Sequence, residues 1–256
     1  MTHDRVIQVT VSAGVATLTL DSPENRNALS RALRGQLRAA LADALADDAV
    51  RVIVLDHTGR VFCSGMDLAE AAGGSSQEQG VNEFPELLQL IWSSPKPVVA
   101  VVRGPARAGG VGLAAACDVV VAASSASFAF SEVRLGLVPA VISAVVLPRM
   151  TPHVAHRLML TGEVFDAATA AGGGLVDLVA DPAELDAVVA GQLTALAAGA
   201  PVALAETKRL LRSRQPELAF ADLLQLSARF FAGEEGQEGI ASFREKRPAR
   251  WVPAQD

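Results

Sequence analysis

The chain has 256 residues, 50% hydrophobic and 20% charged, with a formal net charge of −6. That length carries one large α/β core or a core with a small appendage, and an acidic balance without a basic stripe argues against a nucleic-acid partner. Residues Met1 to Asp4 are polar and unlike a signal peptide, and no apolar run approaches the ~20 residues of a membrane helix, so a soluble, cytoplasmic protein is expected.

Val6 to Val11 and Val15 to Leu20 alternate about Ser12-Ala13-Gly14 and predict a β-hairpin. From about Ser30 the leucines 29, 33, 37, 41 and 45 recur every four residues, which predicts a helix with one buried stripe. Val50 to Leu55 reads as the next strand. Ala71 to Asn82, rich in Gly, Ser and Gln, reads as a loop that either covers a site or is a plain surface excursion. Phe84 to Trp92 reads as a helix, and Val98 to Val102, Asp118 to Ala123 and Ser127 to Phe130 as strands. Val141 to Leu147 and His153 to Leu160 read as short helices, and Leu175 to Ala180 closes the sheet region. Beyond Asp181-Pro182 the pattern is helical: Ala183 to Ala198, Val202 to Leu211, Glu217 to Phe231 and Gly236 to Lys246, with Pro201 and Pro216 as boundaries. The whole is an α/β chain with a helix-only tail.

Two loops carry the chemistry. Val61-Phe62-Cys63-Ser64-Gly65-Met66-Asp67-Leu68 follows one strand, and Arg103 to Leu113, with its Ala108-Gly109-Gly110-Val111-Gly112 core, joins a strand to a helix. Glycines allow a sharp turn and close approach, and the first amides of a helix have no partner within it. Two amides from separate loops can polarise one carbonyl, an oxyanion hole suited to acyl or enolate chemistry. For any one glycine, packing at a strand-to-helix corner is an equal alternative. Neither loop has the Lys-Ser/Thr of a phosphate loop, and Gly110-Val111-Gly112 lacks the acidic partner of a dinucleotide site.

Glu132 follows an apolar strand. Burial there would raise its pKa and suit it to proton transfer, whereas spacing alone also fits a surface pair with Arg134. Cys63 and Cys117 form no disulfide or metal pattern, and His57, His153 and His156 lack ligand partners. Ser64, Ser131 and Ser143 lack a nucleophile elbow.

Asp21 to Leu29, both glycine loops, Phe128 to Pro139 and Glu238 to Arg247 stand in order over nearly the whole chain and resemble the crotonase, or enoyl-CoA hydratase/isomerase, superfamily. The resemblance implies a spiral of β-β-α repeats over residues 1–198 and a helical C-terminal trimerisation domain over 199–256, giving a homotrimer or dimer of trimers. The apolar residues Leu204, Leu210, Leu211, Leu218 and Phe220 in that tail fit the expectation. It further implies that the Met66 and Gly109 amides hold a thioester oxygen and that Glu132 is the acid/base. Ser64, Gly65, Asp67, Leu68 and Gly110 would line the acyl-CoA site, with Arg26 and Lys246 near the nucleotide phosphates. No cofactor is implied, because coenzyme A arrives as part of the substrate.

The chain departs from the family pattern at three places. Ala108 replaces the first glycine of a triplet, which alanine tolerates at negative φ. Ser131 stands where proline is common. Gly112 stands where the best-known hydratases carry a second glutamate. With Pro139 to Ser143, Gly112 resembles the branch of methylglutaconyl- and carboxygeranoyl-CoA hydratases that lack that acid. A one-glutamate site also resembles the Δ3,Δ2-enoyl-CoA isomerases. The expected activity is hydration of a 2-enoyl-CoA, with isomerisation or non-catalytic acyl-CoA binding as the alternatives.

Overall fold

The computed structural model describes residues 5–67, 70, 83–212 and 233–252. Leu68, the Ala71 to Asn82 loop and the helix expected over Glu217 to Phe231 lie outside the described residues.

Strands β1 (Ile7–Ser12) and β2 (Val15–Leu20) form the expected hairpin. Its turn places Ala13 and Gly14 at φ 46° and 76°, the left-handed pair that matches strand twist. Thereafter the chain builds a parallel sheet from β3 (Val52–His57), β4 (Val98–Val102), β6 (Val119–Ala123) and β9 (Leu178–Ala180), in the order β1-β2-β3-β4-β6-β9. A second, three-stranded sheet is made of β5 (Ala106–Arg107), β7 (Ser127–Ala129) and β8 (Phe165–Asp166).

Strands buried on both faces read as continuous apolar runs, and β4 is buried throughout. The period of two splits its residues between two cores. Val98, Ala100 and Val102 join Ile53 and Leu55 against the helices of one face, while Val99 and Val101 join Val52 and Val54 against Leu185 and Val189 on the other.

Helix α1 (Arg31–Ala46) starts where Ser30 Oγ accepts from Leu33 N at 3.2 Å. It buries Leu33, Leu37 and Leu41, and Leu45 at the end of the stripe is half-buried. Then come α2 (Glu83–Ser93), α3 (Gly109–Ala116), α4 (Ala140–Val146), α5 (Pro152–Thr161) and α6 (Ala167–Gly172). The tail holds α7 (Leu185–Ala197), α8 (Pro201–Arg212) and α9 (Glu234–Glu245). Three of these elements, β5, β8 and α6, have no counterpart in the sequence reading. Two-residue strands are too short to show alternation, and the Ala-Ala-Thr-Ala-Ala-Gly of α6 carries no stripe.

Helix α8 is tied to Asp118, just before β6, and to the end of α2. Lys208 Nζ reaches Asp118 Oδ2 at 2.7 Å, and Arg212 donates to Asp118 Oδ1 at 3.0 Å while lying over the Trp92 ring. No single helix among the described residues is long and apolar enough to cross a membrane.

Candidate active site

The first loop is held by a turn some forty residues earlier in the chain. Arg26 and Asn27 both take left-handed backbone, at φ 61° and 51°. The buried Asn27 side chain knots the turn to the loop: its Oδ1 accepts from Ser22 N (2.8 Å) and its Nδ2 donates to Thr58 O (3.0 Å) and Val61 O (2.8 Å). Ser64 N then donates to Arg26 O at 3.1 Å and Leu29 N to Gly65 O at 2.8 Å, forming an isolated parallel bridge between Leu29 and Met66. The buried guanidinium of Arg34 donates to Leu29 O from the other side and pairs with Glu83 at 3.3 Å. Gly65 sits at φ 92°, and a Cβ there would stand 3.1 Å from the Ala108 methyl and 3.2 Å from Arg107 O. Only glycine suits that approach.

The second loop lies against the first. Phe62 N donates to Pro105 O and Arg107 N to Cys63 O, both at 3.0 Å. Ala108 N donates to Ala129 O at 2.9 Å, and Ala108 O accepts from Val111 N (2.9 Å) and Gly112 N (3.2 Å). These bonds fix Ala108 at φ 47°, ψ −114°. The expectation of a negative φ is therefore corrected: alanine here holds the strained backbone that a glycine would take without cost, because its peptide is bonded at both ends.

Met66 N and Gly109 N have no hydrogen-bond partner among the described residues. The Gly109 nitrogen lies 3.5 Å from where a Cβ on Gly65 would stand, so the two loops bring their unspent donors to one place. Gly110 is packed tightly beside them, its missing Cβ position 2.4 Å from Cys63 O. All eight residues of α3 are buried, which keeps water from competing at its first turn.

Glu132 stands in a 3-10 turn, Ser131–Leu135, closed by Gly136 at φ 71°. Leu137 N donates to Glu132 O at 2.9 Å, which fixes the backbone. The side-chain Oε2 is buried with no hydrogen-bond partner, and burial pushes the carboxyl pKa up. Arg134 is exposed and makes no ion pair with it among the described residues, so the surface-pair reading is not what the fold builds. A half-buried carboxyl with one oxygen buried and unpartnered is costly to ionise, which suits it to proton transfer.

One side of the donors is apolar. A Cβ on Gly109 would meet Leu29 Cδ1 at 2.8 Å and the Phe84 ring at 3.3 Å, and one on Gly112 would meet Ile142 Cγ2 at 2.5 Å. The space a second acid would need is filled by Ile142. The resemblance pairs Gly112 with Pro139 to Ser143, and the contact with Ile142 ties the two segments together physically.

A cleft of about 570 Å³ opens beside the donors. It gathers Arg26, Ser64, Met66 and Asp67 with Ser131 and Arg134, which flank Glu132 in sequence, while Glu132, Gly65, Gly109 and Gly110 are not among its lining residues. Lys246, at φ 55° in an exposed turn after α9, does not line this cleft, and Leu68 is not described. Sequence reasoning missed Arg107, which also lines the cleft; its signal was the second of two arginines between an apolar strand and a glycine pair. It also missed the organising role of Asn27.

Other reactive side chains are spent elsewhere. Burial pushes the Cys63 and Cys117 thiols up to about 12. His57 accepts from Arg103 N through Nε2 (3.1 Å), so the proton sits on Nδ1, 3.2 Å from Thr58 O. Burial lowers its pKa.

Residues 10–253 match the enoyl-CoA hydratase/isomerase family. An enoyl-CoA hydratase of Alternaria alternata is 37% identical over 93% of this chain and 80% of its own length. The 2,3-dehydroadipyl-CoA hydratase of Escherichia coli is 35% identical over 91% of this chain and 93% of its own. Among solved structures, an enoyl-CoA hydratase from Shewanella pealeana superposes with TM-score 0.89 at 32% identity, covering 97% of each chain. One from Mycobacterium smegmatis also gives 0.89 at 32%, covering 96% of this chain and 99% of that one.

Proposed function

The chain belongs to the enoyl-CoA hydratase/isomerase family, an enzyme family with the crotonase fold, and from that membership we propose that it adds water across the double bond of a 2-enoyl-CoA thioester. The Met66 and Gly109 amides donate to the thioester oxygen. Glu132, ionised, takes a proton from water as the oxygen bonds to C3. The electron pair of the double bond moves toward the thioester oxygen, where the two donors stabilise the enolate; removing one such donor typically costs about 2.7–4 kcal/mol. Glu132 then returns the proton to C2, giving the 3-hydroxyacyl-CoA.

The observation that carries this reading is the buried, unpartnered Oε2 of Glu132, a residue flanked in sequence by Ser131 and Arg134, which line the cleft that holds Met66. A carboxyl whose pKa is raised by burial exchanges protons more readily near neutral pH than an ordinary one. A second reading is favoured by Ile142 closing the place of a second acid at Gly112. One base can take a proton from C2 of a 3-enoyl-CoA and return it to C4 with no water involved.

Purified protein incubated with 2-enoyl- and 3-enoyl-CoA panels separates them. Hydration predicts 3-hydroxyacyl-CoA from the 2-enoyl substrate, with one oxygen from labelled water. Exclusive 3-to-2 conversion without a hydroxylated product overturns it in favour of isomerisation. Tight thioester binding without turnover of either panel favours a binder. The same membership leads us to propose a homotrimer or dimer of trimers, in which Val202 and Leu211, both exposed on α8, are covered by neighbours. A monomer in light scattering at micromolar concentration overturns that assembly.

A further inference from the structure

Among the described residues Arg107 is a cation without a counter-charge. Its backbone is fixed in β5 opposite Ala129. Its fork is fixed as well: Nη1 donates to Ala106 O (2.9 Å) and Ser127 O (2.7 Å), and Nη2 donates to Ser127 Oγ (2.9 Å). All three acceptors are neutral, and no carboxylate pairs with Arg107 among the described residues. Burial lowers its pKa and no acid offsets this. The arginines used for packing differ: Arg103 meets Asp56, Arg149 meets Asp177 and Arg212 meets Asp118.

A half-buried guanidinium held rigid by neutral groups has lost solvation without gaining an ion pair. It faces a cleft shared with two further cations, Arg26 and Arg134. The carboxylates on that cleft are Glu24 and Asp67. Glu24 accepts from Ser22 Oγ at 2.8 Å, and Asp67 Oδ1 accepts from Glu70 N at 3.3 Å. The lining residues thus set three arginines against two carboxylates, an excess of one positive charge before Glu132 is counted, and one of the cations is pre-positioned. A planar fork already oriented loses little further freedom on meeting a phosphate or carboxylate. The walls of the acyl side, Leu29, Phe84 and Ile142 around Gly109 and Gly112, offer an anion nothing.

We propose that Arg107 binds a phosphate of the coenzyme A arm as the thioester lies along this cleft, and so reads the carrier rather than the acyl chain. The inference rests on the acyl-CoA reading above. The turn before the oxyanion donors thereby gains a second role, because the segment that polarises the carbonyl also registers the handle by which the substrate is held. Ser127 acts through Arg107 as a positioning residue.

Titration calorimetry tests this without turnover. The ligands are coenzyme A and pantetheine, which lacks the nucleotide and its phosphates, and the proteins are wild type, Arg107→Gln and Arg107→Lys. Glutamine keeps a donor for Ser127 O, and lysine keeps the charge without the fork. Arg107→Gln is expected to weaken coenzyme A by about tenfold or more and to leave pantetheine unchanged, with Arg107→Lys in between. The wild-type affinity for coenzyme A should also fall more steeply with added salt than the glutamine variant's. Equal weakening of both ligands, or of neither, overturns the inference. A loss confined to pantetheine thioesters whose acyl chain ends in a carboxylate overturns it in favour of the acyl group. A wild type that does not bind coenzyme A overturns both this inference and the acyl-CoA reading, whereas wild-type binding unaffected by the substitutions overturns this inference alone.

Discussion

At the C-terminal end of α3 the backbone carbonyls and the Asp118 carboxylate are met by several donors, and of the cations there Arg149 alone keeps a buried Nε without a partner among the described residues. Arg149 donates to Cys117 O at 2.7 Å, and Arg212 donates to Cys117 O at 3.1 Å and Ala116 O at 3.3 Å. Asp118 takes the Lys208 ammonium, the Arg212 guanidinium and Val98 N. At the N-terminal end, about 12 Å away by helix rise, pairing is withheld. The Gly109 amide is unspent, Ala108 is strained, and the neighbouring Met66 amide and Glu132 Oε2 have no partner among the described residues. Cations at a helix C-terminus favour the helix, and a short, fully buried helix anchored there can keep its other end in an arrangement that local bonding would not choose. Arg51 Nε and Arg149 Nε are also buried without a partner, but each stands alone, whereas here two amides and a carboxyl oxygen are left open close together, which marks where a ligand completes them.

The largest effects should come from exchanging these conditions. Glu132→Gln removes the proton carrier, and kcat/KM is expected to fall by about 10²–10⁴-fold. The same change should raise thermal stability at neutral pH. Burial holds the native pKa above its ordinary 4.5, so the folded state binds more protons than the unfolded one between the two values. Stability is therefore lost as pH rises through that window. Glutamine has no charge to desolvate, so its advantage should shrink below pH 4.5. A lowered Tm at pH 7 would mean that Glu132 is paired in solution.

At the C-terminal end of α3 the signs reverse. Asp118→Ala leaves the buried Lys208 and Arg212 without their shared acid, and a loss of about 3–5 kcal/mol in urea unfolding is expected. Burial already lowers the Lys208 pKa, and Asp118 is what opposes it. Lys208→Met in the Asp118→Ala background should recover part of the loss. The KM of the folded fraction should stay near wild type, because neither residue lines the cleft beside Met66; a KM rise as large as the stability loss would show that the two ends are not separable.

Gly112→Glu tests whether the acyl side has room for a second acid. Its Cβ would enter Ile142 Cγ2 at 2.5 Å, and the Ile142 Cβ at 3.1 Å limits rotation away. We expect kcat/KM on crotonyl-CoA to fall about tenfold, or about 1.4 kcal/mol, with Ile142→Ala in the same chain relieving the clash. A tenfold gain from the single change would show that the site is only a two-acid hydratase lacking one acid.

Much of this was legible in the sequence because it rests on local pattern. The hairpin, the α1 stripe, the valine-rich β4 and β6 and the described tail helices α7, α8 and α9 follow from periodicity and breakers. The candidate donors Met66 and Gly109 and the acid Glu132 came from motif resemblance, and the fold adds the reason they are unpartnered. What was not legible is set by contacts distant in sequence. Asn27 ties a turn to Val61, Ile142 fills the space over Gly112, and Ser127 holds Arg107; none of these pairs is marked by spacing. The sign of φ at Ala108 was misjudged for the same reason, since the bond to Ala129 O comes from another strand.

Ala108→Gly is the smallest change and the sharpest probe of the withheld end. An alanine in this part of φ/ψ space costs about 1–3 kcal/mol. Glycine removes that cost but gains chain freedom in the unfolded state, worth about 0.4–1 kcal/mol. The net expectation is a stabilisation of about 1 kcal/mol. Activity depends on what orients the Gly109 amide. Ala108 N is bound to Ala129 O, and Ala108 O is bound by Val111 N and Gly112 N, so the peptide leading into Gly109 is fixed by atoms outside the residue's own torsions. On that ground kcat should stay within about twofold of wild type, a barrier change below about 0.4 kcal/mol. The alternative is that the Ala108 methyl, close to where a Cβ on Gly65 would stand, presses the first loop into register. Glycine would then lower kcat with KM unchanged, because the donors would be misaligned for the enolate more than for the bound thioester. A stabilised variant with reduced kcat would show that strain at Ala108 is spent on catalysis, while a stabilised variant with full kcat would leave the hydrogen-bond frame as the sole determinant of the donor geometry.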